Sequence, residues 1–585
     1  MINPKIIPLN ITGDLNQINY SIDSFKDMRE GNFLYIDKTK MIDDILTFDK
    51  SKVVLFTRPR RFGKSLNISM LRYFFDMAES SAELFKGLYI ENSEFFKTHL
   101  NQYPVLYLNF KNVKTDILAD LNQGIISCLQ TESQKLYNTY HYEELMEISF
   151  KAESGGVNPL GAEEITRILC EKTGKKVIVL VDEYDSVINR AYGTDGWKQA
   201  TEIIKGLFGA LFKSNEYLEM GVLTGVSKIG KELGFSDMNN LAVYSLTRKR
   251  YYEYFGFTED EVKELLNRYG IEITDEFYRM YNGYRFKGTP NMFNPASILK
   301  FLDEFQDTRD ICPAPYWVNA TVNHILTDNI AKQNAEFKDE LLTMLSGETI
   351  IESVFDSIDY NMLHNPAHMF SLMIDTGYIC PVQRIGGDKF ELKIPNEEVL
   401  YGYKGMIGLI ADTDEGMLKT LCTNLTSANA EKFEETLNKI LLSVSSFHDF
   451  SEKENSYHNL VMGALLYLMG SFTIFSNREA GLGRYDIALF PIEHPKNEYR
   501  PIIIEFKAAR GKAQCSYDDL AALATEALEQ IKSKKYAQPN ENAYSHAAAH
   551  ESAYGKKHAH AYKPEDFMLI GIGAQGKQCA VVSNF

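Results

Sequence analysis

A short basic loop has the residue types and the spacing that bind phosphate. Residues 58–65 read Arg-Pro-Arg-Arg-Phe-Gly-Lys-Ser and follow the apolar run 53–56, and helical periodicity begins at about Lys64. Backbone N–H groups at a helix N-terminus surround phosphate, a lysine reaches the terminal phosphate oxygens, and a serine hydroxyl ligates Mg²⁺. The loop therefore predicts a site for a nucleoside triphosphate, with the binding residues Arg60, Arg61, Phe62, Gly63, Lys64 and Ser65, of which Ser65 also holds the metal.

The loop departs from the general phosphate-loop pattern at one position. The first glycine of G-x-x-x-x-G-K-[ST] would fall at Arg58. A side chain there must leave the phosphate cradle, or the loop must bend differently. The alternative interpretation is a basic strand-to-helix turn that binds nothing.

A second half-motif follows later in the chain. Residues 177–181 are continuously apolar, as in a buried strand, and end in Asp182 and Glu183. Asp182 would hold Mg²⁺ through water, and Glu183 would orient or deprotonate the attacking water. Glu183 could also serve as a conformational sensor rather than a base. Asp185 is either a partner of these acids or a helix cap.

A third apolar run, 220–223, ends in the polar Thr224. Neighbouring parallel strands would deliver its hydroxyl beside the terminal phosphate, where it would bind the nucleotide as a sensor. The alternative is an ordinary hydroxyl at a strand end. Lys228 and Lys231 follow, and they are either phosphate contacts or solvated lysines.

Two carboxylates and a lysine near the C-terminus form a separate constellation. Asp486 lies in the run 484–490, and Glu505 and Lys507 lie in the run 501–507. Residues two apart in a strand share a face, so Glu505 and Lys507 point the same way. Asp486 and Glu505 would hold Mg²⁺, and Lys507 would position water or neutralise a phosphorane. The alternative is a surface strand with a Glu–Lys pair.

The elements that position these residues follow two patterns. In the first half, apolar runs alternate with amphipathic segments such as 66–75 and 200–212, which predicts an α/β domain with a parallel sheet. After about residue 245 the strand signals stop and helical segments follow, with a hairpin-like element at about 386–396. We therefore divide the chain into residues 1–245, a helical cover and middle region at 246–450, and a C-terminal domain at 451–585.

The C-terminal domain reads as a succession of one helix, three strands, a helix and a strand. The predicted bounds are 456–469, 472–476, 484–490, 501–507, 516–536 and 567–572. The segment 537–564 reads as an inserted loop. Its histidines either are solvated or bind a structural or regulatory metal: His546, His550, His558 and His560.

Composition limits the partners and the compartment. The 585 residues carry 62 Lys and Arg against 79 Asp and Glu, a formal charge of −17, so any polyanion needs a local basic site. The 7 cysteines are scattered without a C-x-x-C pair, and the N-terminus lacks a signal-peptide pattern, so we expect a cytoplasmic protein. The uncharged stretch from 459 to 477 predicts a buried helix and a strand; a membrane span is the alternative.

The first half resembles the bacterial AAA-ATPase-like family. The resemblance rests on the loop 58–65, on residues 35–39 and 181–185, on Leu-Thr-Gly-Val-Ser-Lys at 223–228 and on Tyr-Asn-Gly-Tyr at 281–284. It covers roughly residues 15–300 and implies a P-loop NTPase parallel sheet with a helical cover. An arginine-rich loop is the usual form in that family. The resemblance also implies that Asp37 and Lys38 lie near the nucleotide end of the sheet.

The last part of the chain, about residues 452–575, resembles the PD-(D/E)XK nuclease superfamily. The resemblance is carried by Tyr-His at 457–458, Gly-Arg-Tyr-Asp at 483–486, Glu-Phe-Lys at 505–507 and Ala-Leu-Glu-Gln-Ile at 527–531 with Lys-Tyr at 535–536. It implies an α+β restriction-endonuclease-like fold and a DNA substrate. It further implies that Glu454 assists the metal and that Gln530 lines the substrate cleft. Arg484 belongs to a basic cluster beside this cleft, with Arg478, Lys507, Arg510 and Lys512.

Together these features predict a protein that binds and hydrolyses ATP and cleaves nucleic acid with Mg²⁺. A homo-oligomer is a further partner hypothesis, and no membrane partner is expected. The alternative is an NTP-driven switch or interaction protein whose nuclease-like domain binds without cleaving. A membrane-anchored ATPase is a third option that depends on the uncharged stretch.

Overall fold

The computed structural model describes residues 10–111, 113, 118–152, 156–229, 233, 238–285, 291–317, 324–443, 454–492, 499–509, 514–537 and 562–585. These residues form two compact units. The first contains the chain up to residue 272, with 281–312 and 352–390, and the second contains 273–280, 313–351 and 391–585. The three-part division of the sequence analysis stays a prediction, because its boundary near residue 450 lies outside the described residues.

The first part of the chain alternates strands and helices. Its strands are β1 (Ile11–Thr12), β2 (Tyr35–Ile36), β3 (Val53–Thr57), β4 (Val105–Asn109), β5 (Val177–Asp182), β6 (Leu218–Gly225), β7 (Leu241–Tyr244), β8 (Phe257–Thr258), β9 (Asn282–Tyr284) and β10 (Met292–Phe293). Its helices are α1 (Phe25–Glu30), α2 (Lys40–Phe48), α3 (Lys64–Phe75), α4 (Glu94–His99), α5 (Leu118–Tyr140), α6 (Glu144–Glu147), α7 (Leu160–Thr173), α8 (Ser186–Ala191), α9 (Trp197–Phe212), α10 (Glu259–Arg268), α11 (Asp275–Tyr281) and α12 (Pro295–Thr308).

The middle of the chain is mostly helical, and the end returns to strands. The middle elements are α13 (His324–Ile330), α14 (Ala335–Leu345), β11 (Ile350–Ser353), α15 (Pro366–Thr376), β12 (Cys380–Gly386), β13 (Lys389–Lys393), α16 (Glu397–Tyr403), α17 (Ile407–Ile410), α18 (Glu415–Thr426) and α19 (Ala430–Ser443). The last elements are α20 (Glu454–Leu465), β14 (Phe472–Ala480), β15 (Gly483–Pro491), β16 (Ile502–Ala508), α21 (Tyr517–Ser533), β17 (Met568–Gln575) and β18 (Gln578–Ser583).

The first unit is built on a five-stranded sheet in the order β4-β5-β6-β3-β7, and all its pairings are parallel. The predicted α/β fold with a parallel sheet is therefore confirmed. Strands β3 and β5 are buried along their whole length. This agrees with their continuous apolar sequences, which are typical of parallel strands covered by helices on both faces. Strand β6 lies between them. The carboxyl ends of β3, β5 and β6 therefore meet at one edge of the sheet, which gathers the residues that follow each strand.

The prediction that strands stop near residue 245 is wrong. Strands β8, β10 and β9 form a small antiparallel sheet between residues 257 and 293. Each of them has only two or three residues, too few to produce a periodic pattern. The helices predicted there do form, and α10 has a complete capping box between Thr258 and Glu261.

The C-terminal sheet of the second unit has the order β14-β15-β16-β17-β18 and is mixed. Its pairings are antiparallel except β16 with β17, which are parallel. Strand β18, which was not predicted, completes a hairpin with β17 through a two-residue turn. The uncharged stretch forms the buried end of α20 and the start of β14, and no helix in the described part of the chain is long and apolar enough to cross a bilayer.

Candidate active sites

The predicted phosphate loop joins the end of β3 to the start of α3. Gly63 precedes the first residue of α3 and has φ 78°, and Arg61 has φ 67°. A Cβ on Gly63 would meet no atom within 4 Å, so this glycine is required by the backbone conformation and not by crowding. The left-handed residues turn the chain sharply, and the first N–H groups of a 12-residue helix then face the loop.

Lys64 lies across its own loop. Its Nζ donates to the carbonyl oxygens of Arg58 at 3.1 Å and Pro59 at 3.0 Å, and its side chain is buried. Burial lowers the pKa of this ammonium, and the nearby Glu183, Asp185 and Asp182 oppose that shift. The lysine is thus held between the loop and the acids that follow β5.

The position of the Arg58 side chain explains how an arginine can replace the first glycine of the phosphate-loop pattern. Its guanidinium donates to the carbonyls of Thr57 at 2.8 Å and Tyr244 at 2.7 Å, and it stacks on Phe255 at 4.8 Å from the ring centre. The side chain is fully buried, and burial lowers its pKa to about 9. The side chain has therefore left the cradle, and only its backbone belongs to the loop.

The other loop residues divide into exposed and buried side chains. Arg60 and Arg61 are exposed, and the Arg60 carbonyl accepts from Asn294 at 3.4 Å. Phe62 is fully buried and packs edge-on against Tyr284 at 5.0 Å. Phe62 can therefore offer a nucleotide only its backbone, whereas the two arginines can offer their charge.

Asp182 receives hydrogen bonds from the two neighbouring strands, β6 and β4, and from helix α3. Thr224 donates to Oδ1 at 2.6 Å, Asn109 donates to Oδ2 at 3.4 Å, and the Ser65 hydroxyl also bonds to the carboxylate. Burial raises the pKa of Asp182. A serine hydroxyl beside a carboxylate is an oxygen donor set that suits Mg²⁺, so these residues fit the ion. Thr224 thus lies against Asp182, and Asn109 is a member of the site that the sequence analysis missed.

Glu183 and Asp185 differ in conformation and in surroundings. Glu183 is half-buried and has φ 55°, a left-handed conformation that costs a non-glycine residue about 1 kcal/mol or more. Asp185 is fully buried and accepts from the N–H groups of Val226 at 3.1 Å and Ser227 at 2.8 Å. It makes no side-chain capping bond to α8, so it fixes the loop after β6 instead of capping the helix.

Of the remaining first-unit candidates, Lys228 and Lys38 lie in buried ion pairs, Asp37 accepts a backbone hydrogen bond, and Lys231 lies outside the described residues. Lys228 is buried beside Asp375, with Nζ 3.8 Å from Oδ1, and is not a solvated lysine. Lys38 donates to Glu261 at 2.5 Å, and Asp37 accepts from the N–H of Tyr89 at 2.6 Å. Lys231 lies outside the described residues.

The second predicted site lies where the ladder between β15 and β16 ends. The last paired residues in this direction are Ile487 and Ile504. Beyond them the N–H of Asp486 donates to Glu505 Oε2 at 3.2 Å, and the N–H of Phe506 donates to Asp486 Oδ2 at 2.8 Å. The two carboxylates take the place of ladder carbonyls and lie beside each other.

The charge of this pair is poorly solvated. Glu505 is 2% exposed, and burial with the charge of Asp486 raises its pKa to about 8. Burial also raises the pKa of Asp486, and His458 and Lys507 oppose the shift. Carboxylates forced together in this way fit a divalent cation. In the described part of the chain no three His, Cys, Asp or Glu side chains are grouped to hold a metal.

Helix α21 packs on the sheet face that carries Glu505 and Lys507. In the parallel ladder Gly571 pairs with Glu505 and Gly573 pairs with Lys507. A Cβ on either glycine would come within 2.0–2.1 Å of a carbonyl oxygen of α21. This close approach allows Gln530 to donate to Glu505 and to contact Tyr536 at 3.5 Å. The sequence Gly-Ile-Gly in β17 was the only sign in the sequence that a helix packs closely on this strand.

The other predicted residues of this site lie around the two acids. Glu454, on the first turn of α20, acts on Glu505 through its charge and helps to raise its pKa. Arg484 is exposed and donates to the carbonyl of Asn477. His458 is buried on the opposite face, with Nε2 3.3 Å from the Asp486 carbonyl oxygen. The predicted residues that lie outside the described part of the chain are Arg510, Lys512 and the four loop histidines.

Comparison with known proteins gives two family matches. Residues 19–233 match the model of a family described as predicted AAA-ATPase, and residues 452–583 match that of the PD-(D/E)XK nuclease superfamily. Over 385 residues the chain is also 28% identical to a protein of Azotobacter chroococcum mcd 1 described as an uncharacterized protein in the vnfD 5'region; the alignment covers 65% of this chain and 67% of the relative. The chain therefore combines an AAA-ATPase-like domain with a domain of the PD-(D/E)XK nuclease superfamily.

Proposed function

We propose that the protein binds and hydrolyses ATP in its first unit and cleaves nucleic acid, with DNA as the substrate, in its second unit with Mg²⁺. The observation that carries the nuclease part is the pair Asp486 and Glu505, joined through reciprocal backbone bonds, with Lys507 two residues along the same strand. An ordinary structural strand would not keep two acids with raised pKa values side by side.

Each residue of the nuclease site has a separate task in this proposal. Asp486 and Glu505 would hold Mg²⁺, which supplies charge to polarise a phosphodiester. Lys507 is half-buried beside them and would orient the attacking water or balance the charge on the phosphate. Gln530 fixes the Glu505 carboxylate through its amide. Exposed Arg484 would attract the sugar–phosphate backbone without reading its bases.

The ATPase part rests on the phosphate loop and its acids. The α3 N-terminus and Lys64 would bind the phosphates, and Ser65 with Asp182 would hold Mg²⁺. Glu183 would accept a proton from the attacking water.

We place the protein in the cytoplasm, because its scattered cysteines do not form a disulfide-framework pattern. The proposed ATP site and the proposed nuclease site occur in one chain, and this motivates the further proposal that ATP controls cleavage.

A cleavage assay tests the nuclease proposal. Supercoiled plasmid and single-stranded RNA are incubated with the full chain in Mg²⁺ or EDTA, with and without ATP. We expect Mg²⁺-dependent DNA cleavage that falls by about 10²-fold or more in Asp486→Asn. The matched control is Glu529→Gln, because Glu529 is exposed on α21 and pairs only with Lys532 among the contacts described.

The outcomes separate this function from its rival. DNA binding without cleavage by the wild type, unchanged in Asp486→Asn, would support an interaction protein and overturn the nuclease proposal. Cleavage that is equal with and without ATP, and equal in Lys64→Met, would overturn ATP control only. A native mass measurement on the same samples tests the predicted homo-oligomer.

A further inference from the structure

Helix α15 places its C-terminal end against the phosphate loop. The helix begins after the Asn365 cap and ends at Gly377, which has φ 87°. A Cβ on Gly377 would lie 2.9 Å from the Cβ of Pro59, so the two segments are in direct contact. This helix lies far beyond residue 233, where the ATPase family match ends, but it belongs to the same compact unit.

Asp375, in the last turn of α15, holds the loop that follows β6. Its Oδ2 accepts from the backbone N–H of Lys228 at 2.7 Å, and its Oδ1 lies 3.8 Å from Lys228 Nζ. The two side chains are only 1% and 3% exposed. The backbone N–H of Ile358 also donates to the Lys228 carbonyl at 2.9 Å. The loop is thus held both by a side chain and by the backbone of the segment 352–390.

The charge of Asp375 also reaches the phosphate loop. The carboxylate stabilises the buried guanidinium of Arg58, against the desolvation that lowers its pKa. Arg58 occupies the position of the first glycine in the phosphate-loop pattern. Asp375 therefore faces cations from two different loops of the nucleotide site, Arg58 before α3 and Lys228 after β6.

A second connection runs from the same segment to the acids after β5. Tyr360 donates through its hydroxyl to Asn189 Oδ1 at 2.6 Å, and Asn189 donates to Asp185 Oδ2 at 2.9 Å. Asp185 in turn accepts from the loop after β6, at Val226 and Ser227. The segment 352–390 therefore contacts the nucleotide site at two independent points.

We propose that Asp375 is a positioning residue of the nucleotide site, which holds the loop before α3 and the loop after β6 in the arrangement that binds nucleotide. This inference rests on the proposed binding of ATP. Asp375 would act through Arg58 and Lys228 and would not touch the nucleotide. Loss of its charge leaves two buried cations without their common anion, so the loops would separate and bind phosphate less tightly.

The pH dependence of ATP affinity distinguishes this role from a purely structural one, which would not change it. Burial raises the pKa of Asp375 to about 6, and Lys228, Arg58 and the more distant Asp185 and Tyr184 face it. As pH falls below 6 the wild-type carboxyl takes up a proton and becomes as neutral as asparagine. The difference in ATP affinity between wild type and Asp375→Asn should therefore shrink as pH falls.

The experiment measures the Kd for ATP with Mg²⁺ by calorimetry on the full chain, between pH 5 and pH 8. We expect Asp375→Asn to weaken binding about tenfold at pH 7.5 and much less at pH 5. Asp76→Asn is the matched control, because Asp76 is buried, has a pKa of about 6 and lies at the far end of α3. It should bind ATP like the wild type at each pH.

A second variant covers the case in which Asp375→Asn does not fold. Lys228→Met combined with Asp375→Asn removes the pair without leaving the lysine charge buried, and we expect it to fold and to bind ATP weakly. Wild-type affinity in either folded variant, or a loss that does not depend on pH in Asp375→Asn, would overturn the inference. Failure of both variants to fold would show a structural role and would also overturn it. No ATP binding by the wild type would instead overturn the proposed ATPase function, and the inference with it.

Discussion

The backbone N–H of Asp486 donates to the carboxylate of Glu505 at 3.2 Å, at the point where strands β15 and β16 stop pairing. The N–H of Phe506 returns the contact by donating to Asp486 Oδ2 at 2.8 Å. Each strand thus orients the acid of the other. The relationship explains how the end of the β15–β16 ladder presents two carboxylates in one place, and why the charge of Asp486 helps to raise the pKa of Glu505.

The first prediction concerns the pH dependence of cation binding. Burial and the charge of Asp486 raise the pKa of Glu505 to about 8, so at pH 7 a cation must displace a proton. We expect Mg²⁺ affinity to rise by up to about tenfold per pH unit below pH 8 and to level off above it. Calorimetry in two buffers of different ionisation enthalpy measures the released proton. Mg²⁺ binding without proton release at pH 7 would contradict this.

The same raised pKa has a consequence for stability without the cation. The folded protein holds the Glu505 proton more tightly than the unfolded chain does, because a glutamate carboxyl in an unfolded chain has its ordinary pKa of 4.5. The free energy of unfolding should therefore fall as pH rises from about 4.5 to 8. Glu505→Gln should flatten this dependence in EDTA, whereas Glu529→Gln, whose acid is exposed, should leave it unchanged.

The second prediction concerns Lys64. Its ammonium is buried and contacts only the loop carbonyls of Arg58 and Pro59 among the hydrogen bonds described. Lys64→Met leaves these two carbonyls without this donor, so we expect it to lower the free energy of unfolding by about 1–3 kcal/mol. It should also weaken ATP binding by about 10-fold or more, because a charge-assisted phosphate contact is lost. Lys86→Met is the control, since Lys86 is exposed and pairs with Glu83. Equal ATP affinity in both variants would remove Lys64 from the site.

Local sequence was sufficient for much of the fold. The continuous apolar runs predicted β3 and β5 because strands buried on both faces leave no polar positions. The helical pattern after about residue 245 likewise predicted helices there, and α10 is one of them. β18 was missed although Gly576, with φ 57°, marks a tight turn before it.

The site residues that the sequence suggested lie in short motifs or directly at the ends of apolar runs. The loop around Lys64 and the Glu-x-Lys of β16 carry their own spacing. Asn109 and Asp375 do not, because each is a lone polar residue that reaches its site through a distant element. Contacts over 147 residues, as between Lys228 and Asp375, leave no local pattern in one sequence.

The third prediction concerns the glycines of β17. A Cβ on Gly571 would lie 2.0 Å from the Ala524 carbonyl oxygen and 2.7 Å from the Leu528 nitrogen, both backbone atoms of α21. Gly571→Ala should therefore push the helix off the sheet, lower the free energy of unfolding by about 3 kcal/mol and withdraw Gln530 from Glu505. Chemical denaturation measures the first effect, and nuclease activity measures the second.

A glycine with free space around it provides the control for that substitution. An added Cβ on Gly405 would meet no atom within 4 Å, and its φ is not in the left-handed region. Gly405→Ala should change the free energy of unfolding by less than about 1 kcal/mol. A similar loss of unfolding free energy in both variants would mean that the packing of α21 does not require a glycine at position 571.

The fourth prediction concerns the edge of the C-terminal sheet. Helix α19 satisfies the open side of β18 with side chains: Asn438 exchanges two bonds with the backbone of Cys579, both at 2.9 Å, and Glu434 accepts from the N–H of Val581 at 2.6 Å. An uncovered edge strand invites pairing with other chains. The nuclease fold therefore uses a helix that precedes residue 452, where the family match begins.

Substitutions on neighbouring positions of α19 test this role in the full chain. Asn438→Ala leaves a backbone donor and acceptor of β18 without partners, and we expect it to lower the free energy of unfolding by about 2 kcal/mol and to promote aggregation. Glu435→Ala removes only an exposed pair with Lys439 and should change stability by less than about 0.5 kcal/mol. Denaturation and light scattering of the two variants distinguish edge protection from general helix stability, because equal losses would show that α19 contributes only as a helix.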